Sequence, residues 1–306
     1  MKIQKTYGIY LFSFSLFWAL WLQLTAGPTK QVHHLEVETW FLSPKETIVL
    51  PDFKIIDTRS VSSRFTDQVA NAHILGWEDL SQKESPFRGK LQSIESIHKK
   101  LFSLGFNQND TILVLGDGTK GWGEEGRIVW SLREVGFSKT FWFNGKISSF
   151  KEILETRKRI QGSDQTKSIN LFTTKPKTPV TTNITKEEIT KHLPLGTYQI
   201  LDTREPREYL GSTPYGESRG GHIPGAKLYY YQNLFDDKGH IKSKDEVVKT
   251  LTSLGITKSK PIIAYCTGGV RSAFVVGILR SYGFNAYNYS GSMWEWSFNK
   301  DLPLEK

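Results

Sequence analysis

The chain has 306 residues, a formal net charge of +9 and a single cysteine, Cys266. One cysteine excludes an intramolecular disulfide, so stability must come from hydrophobic cores, and this length favours about two domains. The 40 basic residues are scattered, without a basic helix or an interleaved aromatic motif, so we expect no nucleic-acid partner. A positive surface of this kind favours the attraction of small anions.

The N-terminal segment has the pattern of a secretory signal peptide. Lys2 and Lys5 precede a run dominated by Ile, Leu, Phe and Trp over residues 8–24, and the small residues Thr-Ala-Gly follow. We predict a signal peptide over residues 1–27 and export to the periplasm or to the outside of the cell. The alternative is an uncleaved membrane anchor over residues 8–24, whose length is borderline for crossing a bilayer.

The rest of the chain contains two copies of one pattern. The corresponding segments are residues 55–59 and 200–204, 71–76 and 221–226, 101–106 and 251–256, and 132–137 and 279–284. Internal similarity of this kind indicates repeated domains. We place the first copy at residues 36–160 and the second at 184–304. Residues 161–183, which lie between them, are rich in Ser, Thr, Lys and Pro, which is typical of an extended linker.

The first copy carries no cysteine. Its apolar strand is followed by Gly116 and Asp117, which we align with Tyr265 and Cys266 of the second copy. An aspartate cannot do the chemistry of a thiol, so we expect this copy to be inactive and to close one wall of the active cleft. The alternative is that Asp117 binds a ligand of its own.

Strands and helices alternate in the second copy. We predict strands at 198–202 and 261–265, and helices from Thr185 to His192, at 245–254 and at 272–282. This alternation predicts an α/β fold in which a parallel sheet is flanked by helices. The same pattern in both copies predicts two tandem domains of this fold.

Cys266 lies where the second of these strands meets the last helix, in a loop with Gly268, Gly269 and Arg271. Loop amides and a helix N-terminus favour the thiolate over the thiol. Arg271 adds a cation, and the two glycines allow the backbone to curve around an anion. We therefore predict a reactive nucleophile; an inert buried cysteine, the alternative, would need no such cradle.

Four motifs in this order resemble the rhodanese-type sulfurtransferases. They are Asp202-Thr203-Arg204, Gly221-His222-Ile223-Pro224-Gly225-Ala226, Cys266-Thr267-Gly268-Gly269-Val270-Arg271 and Gly291-Ser292-Met293-Trp294-Glu295-Trp296. With the internal repeat, the resemblance to a tandem rhodanese covers nearly everything after residue 35. The family holds a persulfide in a six-residue loop that runs from cysteine to arginine, and tandem members commonly have an inactive first half.

The resemblance implies a sulfurtransferase with Cys266 as its nucleophile. The loop residues that would hold the sulfur are Thr267, Gly268, Gly269, Val270 and Arg271. Arg204 and Arg219 are expected to serve substrate binding, and His222 to be a structural hydrogen-bonding group. The implied donor is a small anion, thiosulfate or 3-mercaptopyruvate, and the implied acceptor is a thiol or cyanide. We expect a monomer, and a protein acceptor stays open.

The donor is left open by a departure from the family pattern. The tandem thiosulfate and mercaptopyruvate enzymes carry a substrate-binding arginine at the position of Glu208, and here only its neighbour Arg207 is basic. The loop residues Thr267 to Gly269 also fit neither subfamily. Thiosulfate is the donor that we favour, with 3-mercaptopyruvate as the alternative.

Two other functions belong to different classes of protein. A cysteine phosphatase or arsenate reductase would have five residues between cysteine and arginine, whereas this chain has four, Thr267 to Val270. The shorter loop favours sulfur. A non-catalytic sulfur carrier or binding module is the other alternative.

We predict neither a metal site nor a cofactor. The seven histidines lack ligand spacing with carboxylates or the thiol. The glycine-rich stretch 116–126 lacks the Lys followed by Ser or Thr that a phosphate loop requires.

Overall fold

The computed structural model of the chain describes residues 38–161 and 181–306. Both ranges belong to one compact unit, Leu35–Lys306. The predicted signal peptide at 1–27 and nearly all of the predicted linker lie outside the described residues. Within the described ranges, no helix is long and apolar enough to cross a membrane.

Two parallel sheets organise the chain. The first consists of β1 (Phe41–Leu42), β2 (Lys54–Asp57), β3 (Ala72–Ile74), β4 (Ile112–Leu115) and β5 (Thr140–Phe143), in the order β1-β5-β4-β2-β3. The second consists of β6 (Gln199–Asp202), β7 (Lys227–Leu228), β8 (Ile262–Tyr265) and β9 (Ala286–Asn288), in the order β7-β6-β8-β9. Every strand pair in both sheets is parallel.

Helices follow the strands in each half. The first half contains α1 (Pro44–Ile48), α2 (Val61–Thr66), α3 (Ile94–Ser103), α4 (Glu124–Glu134) and α5 (Ile147–Gln161). The second half contains α6 (Lys186–His192), α7 (Pro206–Tyr209), α8 (Lys244–Ser253), α9 (Val270–Ser281) and α10 (Ser292–Phe298). The predicted α/β fold with two tandem domains is confirmed.

The elements predicted in the second half are also confirmed, with ends displaced by one or two residues. Helix α6 begins with a capping box in which the Thr185 hydroxyl accepts from the Glu188 N–H and the Glu188 carboxylate accepts from the Thr185 N–H. Strand β8 is buried along its whole length, as a near-continuous apolar run predicts for a strand inside a parallel sheet.

The alignment of Asp117 with Cys266 is wrong by one residue. Leu115 pairs with Asp57 in the first sheet, and Tyr265 pairs with Asp202 in the second. Gly116 therefore takes the place of Cys266, and Asp117 takes the place of Thr267. The loop from Gly116 to Gly123 leads into α4 and is longer than its counterpart, Cys266 to Gly269. Because the two loops differ in length, sequence comparison does not fix which of their residues correspond.

The two halves share one hydrophobic core, whose centre is the contact between α4 and α9. The side chain of Phe274 on α9 fills the space left by two glycines of the first half, because a Cβ at Gly126 would lie 2.6 Å from the Phe274 Cα and one at Gly123 2.6 Å from its Cβ. The Phe274 ring also packs on Trp142 of β5 at a centroid distance of 5.1 Å. Packing at this depth fixes the halves against each other.

We expect Phe274→Ala to lower the free energy of unfolding by about 3–5 kcal/mol, because it leaves a cavity where the halves meet. Urea denaturation followed by tryptophan fluorescence would measure the change. The matched control is Phe65→Ala on α2, whose side chain is 82% exposed and whose loss should cost less than about 0.5 kcal/mol. Equal effects of the two substitutions would contradict a shared core.

Candidate active site

Cys266 stands at the carboxyl end of β8, immediately before the loop that opens α9. This is the edge at which open parallel sheets place their ligands. Gly269 caps the helix with φ +78°, a left-handed conformation that glycine adopts without the steric cost of a Cβ. The turn directs the N-terminus of α9 toward the thiol, which is 1% exposed.

Hydrogen bonds from the loop reach the sulfur directly. The Gly269 N–H donates to Cys266 Sγ at 3.1 Å, and the Ser272 hydroxyl oxygen lies 3.6 Å from it. Burial alone raises the pKa of the Cys266 thiol, but the charge of Arg271 and hydrogen bonds from the Ser272 N–H, the Ser272 hydroxyl and the Gly268 N–H outweigh that cost. The pKa of the thiol is therefore lowered, and the site favours a thiolate.

Arg271 is held by a buried carboxylate, Glu208 of α7. Its guanidinium donates to both Glu208 oxygens, from Nη1 at 2.6 Å and from Nη2 at 2.9 Å. The Thr267 hydroxyl bridges the pair, since it accepts from Arg271 Nη2 and donates to Glu208 Oε1, each at 2.7 Å. Burial raises the pKa of Glu208, but Arg271 more than compensates, so the pKa is lowered and the residue is ionised.

This buried network closes the loop from both ends. Thr267 follows the nucleophile and Arg271 ends the motif, so one carboxylate ties together the two sides of the turn. Sequence comparison marked Glu208 only as the place of a missing arginine. The role of Glu208 depends on two things. The sequence shows the spacing between the end of β6 and α7, but it does not show the contact between Glu208 and Arg271.

The middle of the loop has no room for side chains. A Cβ at Gly268 would lie 2.1 Å from Cζ3 of Trp294, and one at Gly269 would lie 2.6 Å from the Ser290 carbonyl oxygen and 2.7 Å from Nη1 of Arg127. Glycine is therefore required at both positions, because neighbouring atoms occupy the space that a Cβ would need. The tight packing fixes the direction of the amides that face the sulfur.

The first half contributes Arg127 of α4 to the loop, a residue that sequence reasoning missed. Its side chain is fully buried, and it donates from Nη1 to the Gly269 carbonyl at 3.0 Å and from Nη2 to the Ser81 hydroxyl at 3.0 Å and to the Gly89 carbonyl. Burial lowers the pKa of Arg127 to about 10, and the Cys266 charge acts in the opposite direction. Arg127 thus holds the carbonyl of the same residue whose N–H faces the sulfur.

The other two predicted arginines lie elsewhere in the second half. Arg204 is buried and donates to both oxygens of Asp202 and to the Gly221 carbonyl. Arg219 donates to backbone carbonyls of Trp296, Ser297, Asn299 and Leu302, near the end of the chain. Neither guanidinium is brought against the Cys266 loop. Both are engaged in holding the backbone around the site.

His222 also makes structural contacts. Its Nδ1 lies 3.0 Å from the Tyr209 carbonyl oxygen, and its ring stacks on the Tyr209 ring at a centroid distance of 3.7 Å. Over residues 38–161 and 181–306, no three His, Cys, Asp or Glu side chains are grouped so that they could hold a metal ion.

The corresponding loop of the first half lines a cavity of about 440 Å³, and it presents no nucleophile. Gly116, at the place of the cysteine, packs against the Glu125 carboxyl, and a Cβ there would lie 2.1 Å from Glu125 Oε2. The Asp117 carboxylate accepts from the Ser60 N–H at 2.7 Å. The chemistry of a thiolate is therefore confined to the second half.

Known proteins are similar to this chain in sequence and in fold. A model of the rhodanese-like domain family matches residues 185–299. The chain is 23% identical over 256 residues to a thiosulfate sulfurtransferase of Azotobacter vinelandii, covering 83% of this chain and 92% of that protein. It is 28% identical over 287 residues to a 3-mercaptopyruvate sulfurtransferase of Escherichia coli K12, covering 87% of this chain and 98% of that protein.

The Tum1 protein from Saccharomyces cerevisiae is similar in structure, with a TM-score of 0.66 at 18% identity, over 87% of this chain and 97% of that one. At this identity the likeness concerns the fold alone. The sequence relatives extend across both halves, and the loop around Cys266 lies in the half that the domain model matches. Residues 185–299 match the rhodanese-like domain family, and over both halves the chain is similar to sulfurtransferases.

Proposed function

We propose that this chain moves a sulfane sulfur from thiosulfate to a thiophilic acceptor through a persulfide on Cys266. The observation that carries the proposal is the environment of the sulfur. The Gly269 N–H donates to Sγ at 3.1 Å, and Arg271 lowers the pKa of the thiol against the effect of burial. A thiolate held in this way is both a nucleophile and, after reaction, the anchor of an anionic persulfide.

In the first step, the Cys266 thiolate attacks the outer sulfur of thiosulfate. A new bond forms between Sγ and that sulfur, and the sulfur–sulfur bond of the donor breaks. Sulfite leaves with the electron pair, and the enzyme retains a Cys266 persulfide anion. The total charge is the same on both sides, so this step needs neither a proton nor an oxidant. The amides of the loop stabilise the terminal sulfur.

In the second step, a thiophilic acceptor removes the outer sulfur and restores the thiolate. Cyanide would leave as thiocyanate, and a thiolate would leave as its own persulfide, so the charge again balances. The chain has no second cysteine, and the acceptor must therefore come from outside it. Two half-reactions on one covalent intermediate imply ping-pong kinetics.

A second donor, 3-mercaptopyruvate, has one observation in its favour. The relative named as a 3-mercaptopyruvate sulfurtransferase is 28% identical, whereas the relative named as a thiosulfate sulfurtransferase is 23% identical. The buried Glu208 replaces the arginine that either subfamily would use, so the loop itself favours neither donor. The intact mass of the protein after incubation with each compound distinguishes the two donors.

Incubation of the protein with thiosulfate should add about 32 Da to its intact mass, the mass of one sulfur atom. Cyanide should remove the added mass, and Cys266→Ala should never acquire it. Mass gained only from 3-mercaptopyruvate would replace thiosulfate as the donor. The absence of an adduct with either compound would contradict sulfur transfer and favour a binding module. Hydrolysis of aryl phosphates would favour a phosphatase.

We expect Arg271→Gln to raise the pKa of Cys266 by about one unit or more, because the thiolate loses its nearest cation. In the native protein the lowered pKa means that the alkylation rate with iodoacetamide reaches half its maximum below the pH typical of free cysteine, about 8.5. The variant should shift this midpoint upward. Arg271→Lys keeps the charge and should shift it less.

The same substitution leaves Glu208 buried and unpaired, which destabilises a protein by about 3–5 kcal/mol. The double variant Arg271→Gln with Glu208→Gln removes both charges and serves as the folded reference. If its alkylation midpoint equals that of the native protein, Arg271 does not control the thiol.

A further inference from the structure

An anionic donor needs a cation close to Cys266, and the arginines of the second half are already engaged. Arg271 is paired with Glu208, and Arg204 is paired with Asp202. Arg219 is engaged by backbone carbonyls. The residue at the place of the family's substrate-binding arginine is a buried carboxylate. The second half therefore leaves the charge of the donor without an evident counterion at the loop.

The first half brings another cation to the edge of this loop. Gly89 touches the loop backbone, because a Cβ at Gly89 would lie 2.5 Å from the Gly268 carbonyl oxygen and 3.1 Å from the Gly268 Cα. The residue before it is Arg88, which is exposed. Its guanidinium carbon lies 4.1 Å from the centroid of the Trp294 ring. That same ring packs against Gly268.

Arg88 differs from the other cations near the loop in that neither a carboxylate nor a carbonyl oxygen engages its guanidinium in the described residues. Lys90 pairs with Glu295 at 2.9 Å, and Arg207 pairs with Glu205 at 2.7 Å. Among the described residues, the Arg88 guanidinium makes neither a hydrogen bond nor an ion pair within 4 Å. It packs against the face of the Trp294 ring. Its five N–H donors are free to receive a ligand.

We propose that Arg88 binds the anionic group of the sulfur donor, a sulfonate or a carboxylate, at the edge of the Cys266 loop. This inference rests on the proposed function. A guanidinium matches the planar spread of oxygens in such groups with two parallel hydrogen bonds. Stacking on Trp294 limits the motion of the side chain, which reduces the entropy lost when the donor binds. The catalytically inactive half would thereby supply a donor-binding residue.

The test compares two alkylating reagents of similar size, anionic iodoacetate and neutral iodoacetamide, on the single cysteine. Their rate ratio cancels changes in thiol reactivity and retains the attraction of the anion. We expect Arg88→Gln to lower the iodoacetate to iodoacetamide ratio about fivefold at low ionic strength. In about 0.5 M salt the difference should shrink, since screening weakens attraction between exposed charges.

The matched control is Lys83→Gln, which removes one exposed charge from the same segment. It should leave the ratio unchanged, whereas Arg88→Lys should give an intermediate value. An unchanged ratio in Arg88→Gln, or an equal fall in Lys83→Gln, would overturn the assignment. The KM for thiosulfate should rise about fivefold in Arg88→Gln with kcat retained, as expected for a binding contact.

The alkylation ratio does not depend on sulfur transfer. If thiosulfate leaves no persulfide while Arg88→Gln still lowers the ratio, the proposed function fails and the anion site stands. If the persulfide forms normally and the ratio does not change, the proposed function stands and the role of Arg88 is wrong.

Discussion

The active loop depends on one buried ion pair, that between Glu208 and Arg271. Neither residue has appreciable contact with solvent, and the Thr267 hydroxyl lies between them. A buried pair contributes little net stability, but each partner makes the other indispensable, because a lone buried charge is costly. The chain between the two loop ends must therefore take one curvature. That curvature aims the N–H of Gly269 at the thiolate.

The first half holds the same loop at Gly269. Arg127 donates to the Gly269 carbonyl, and the Gly269 N–H, which belongs to the preceding peptide group, donates to the sulfur. Its guanidinium is buried and donates to neutral oxygens of Ser81, Gly89 and Gly269, and no carboxylate of the described residues forms an ion pair with it. This residual positive charge also favours the thiolate. Both halves thus contribute to the candidate site, and the first half has a structural part in it.

Local patterns predicted most of the fold. The capping residues of α6 and the apolar run of β8 placed elements of the second half within two residues, and the motif around Cys266 placed the nucleophile. What escaped prediction depends on contacts between distant segments. The sequence around Arg127 is that of an ordinary helix, and only the packing of α4 on α9 brings this residue to the Cys266 loop. The loop after β4 is longer than the one after β8, so sequence comparison did not show which of its residues corresponds to Cys266.

The two copies differ in charge as well as in the cysteine. The second residue after the left-handed glycine that opens the helix is Arg271 in one copy and Glu125 in the other. Burial, together with the nearby Glu124 and Asp117 charges, raises the pKa of Glu125 to about 8. A cysteine at position 116 would collide with this carboxyl and would lack the arginine that stabilises a thiolate. The first copy therefore lacks both the space and the arginine that a thiolate at this position would require.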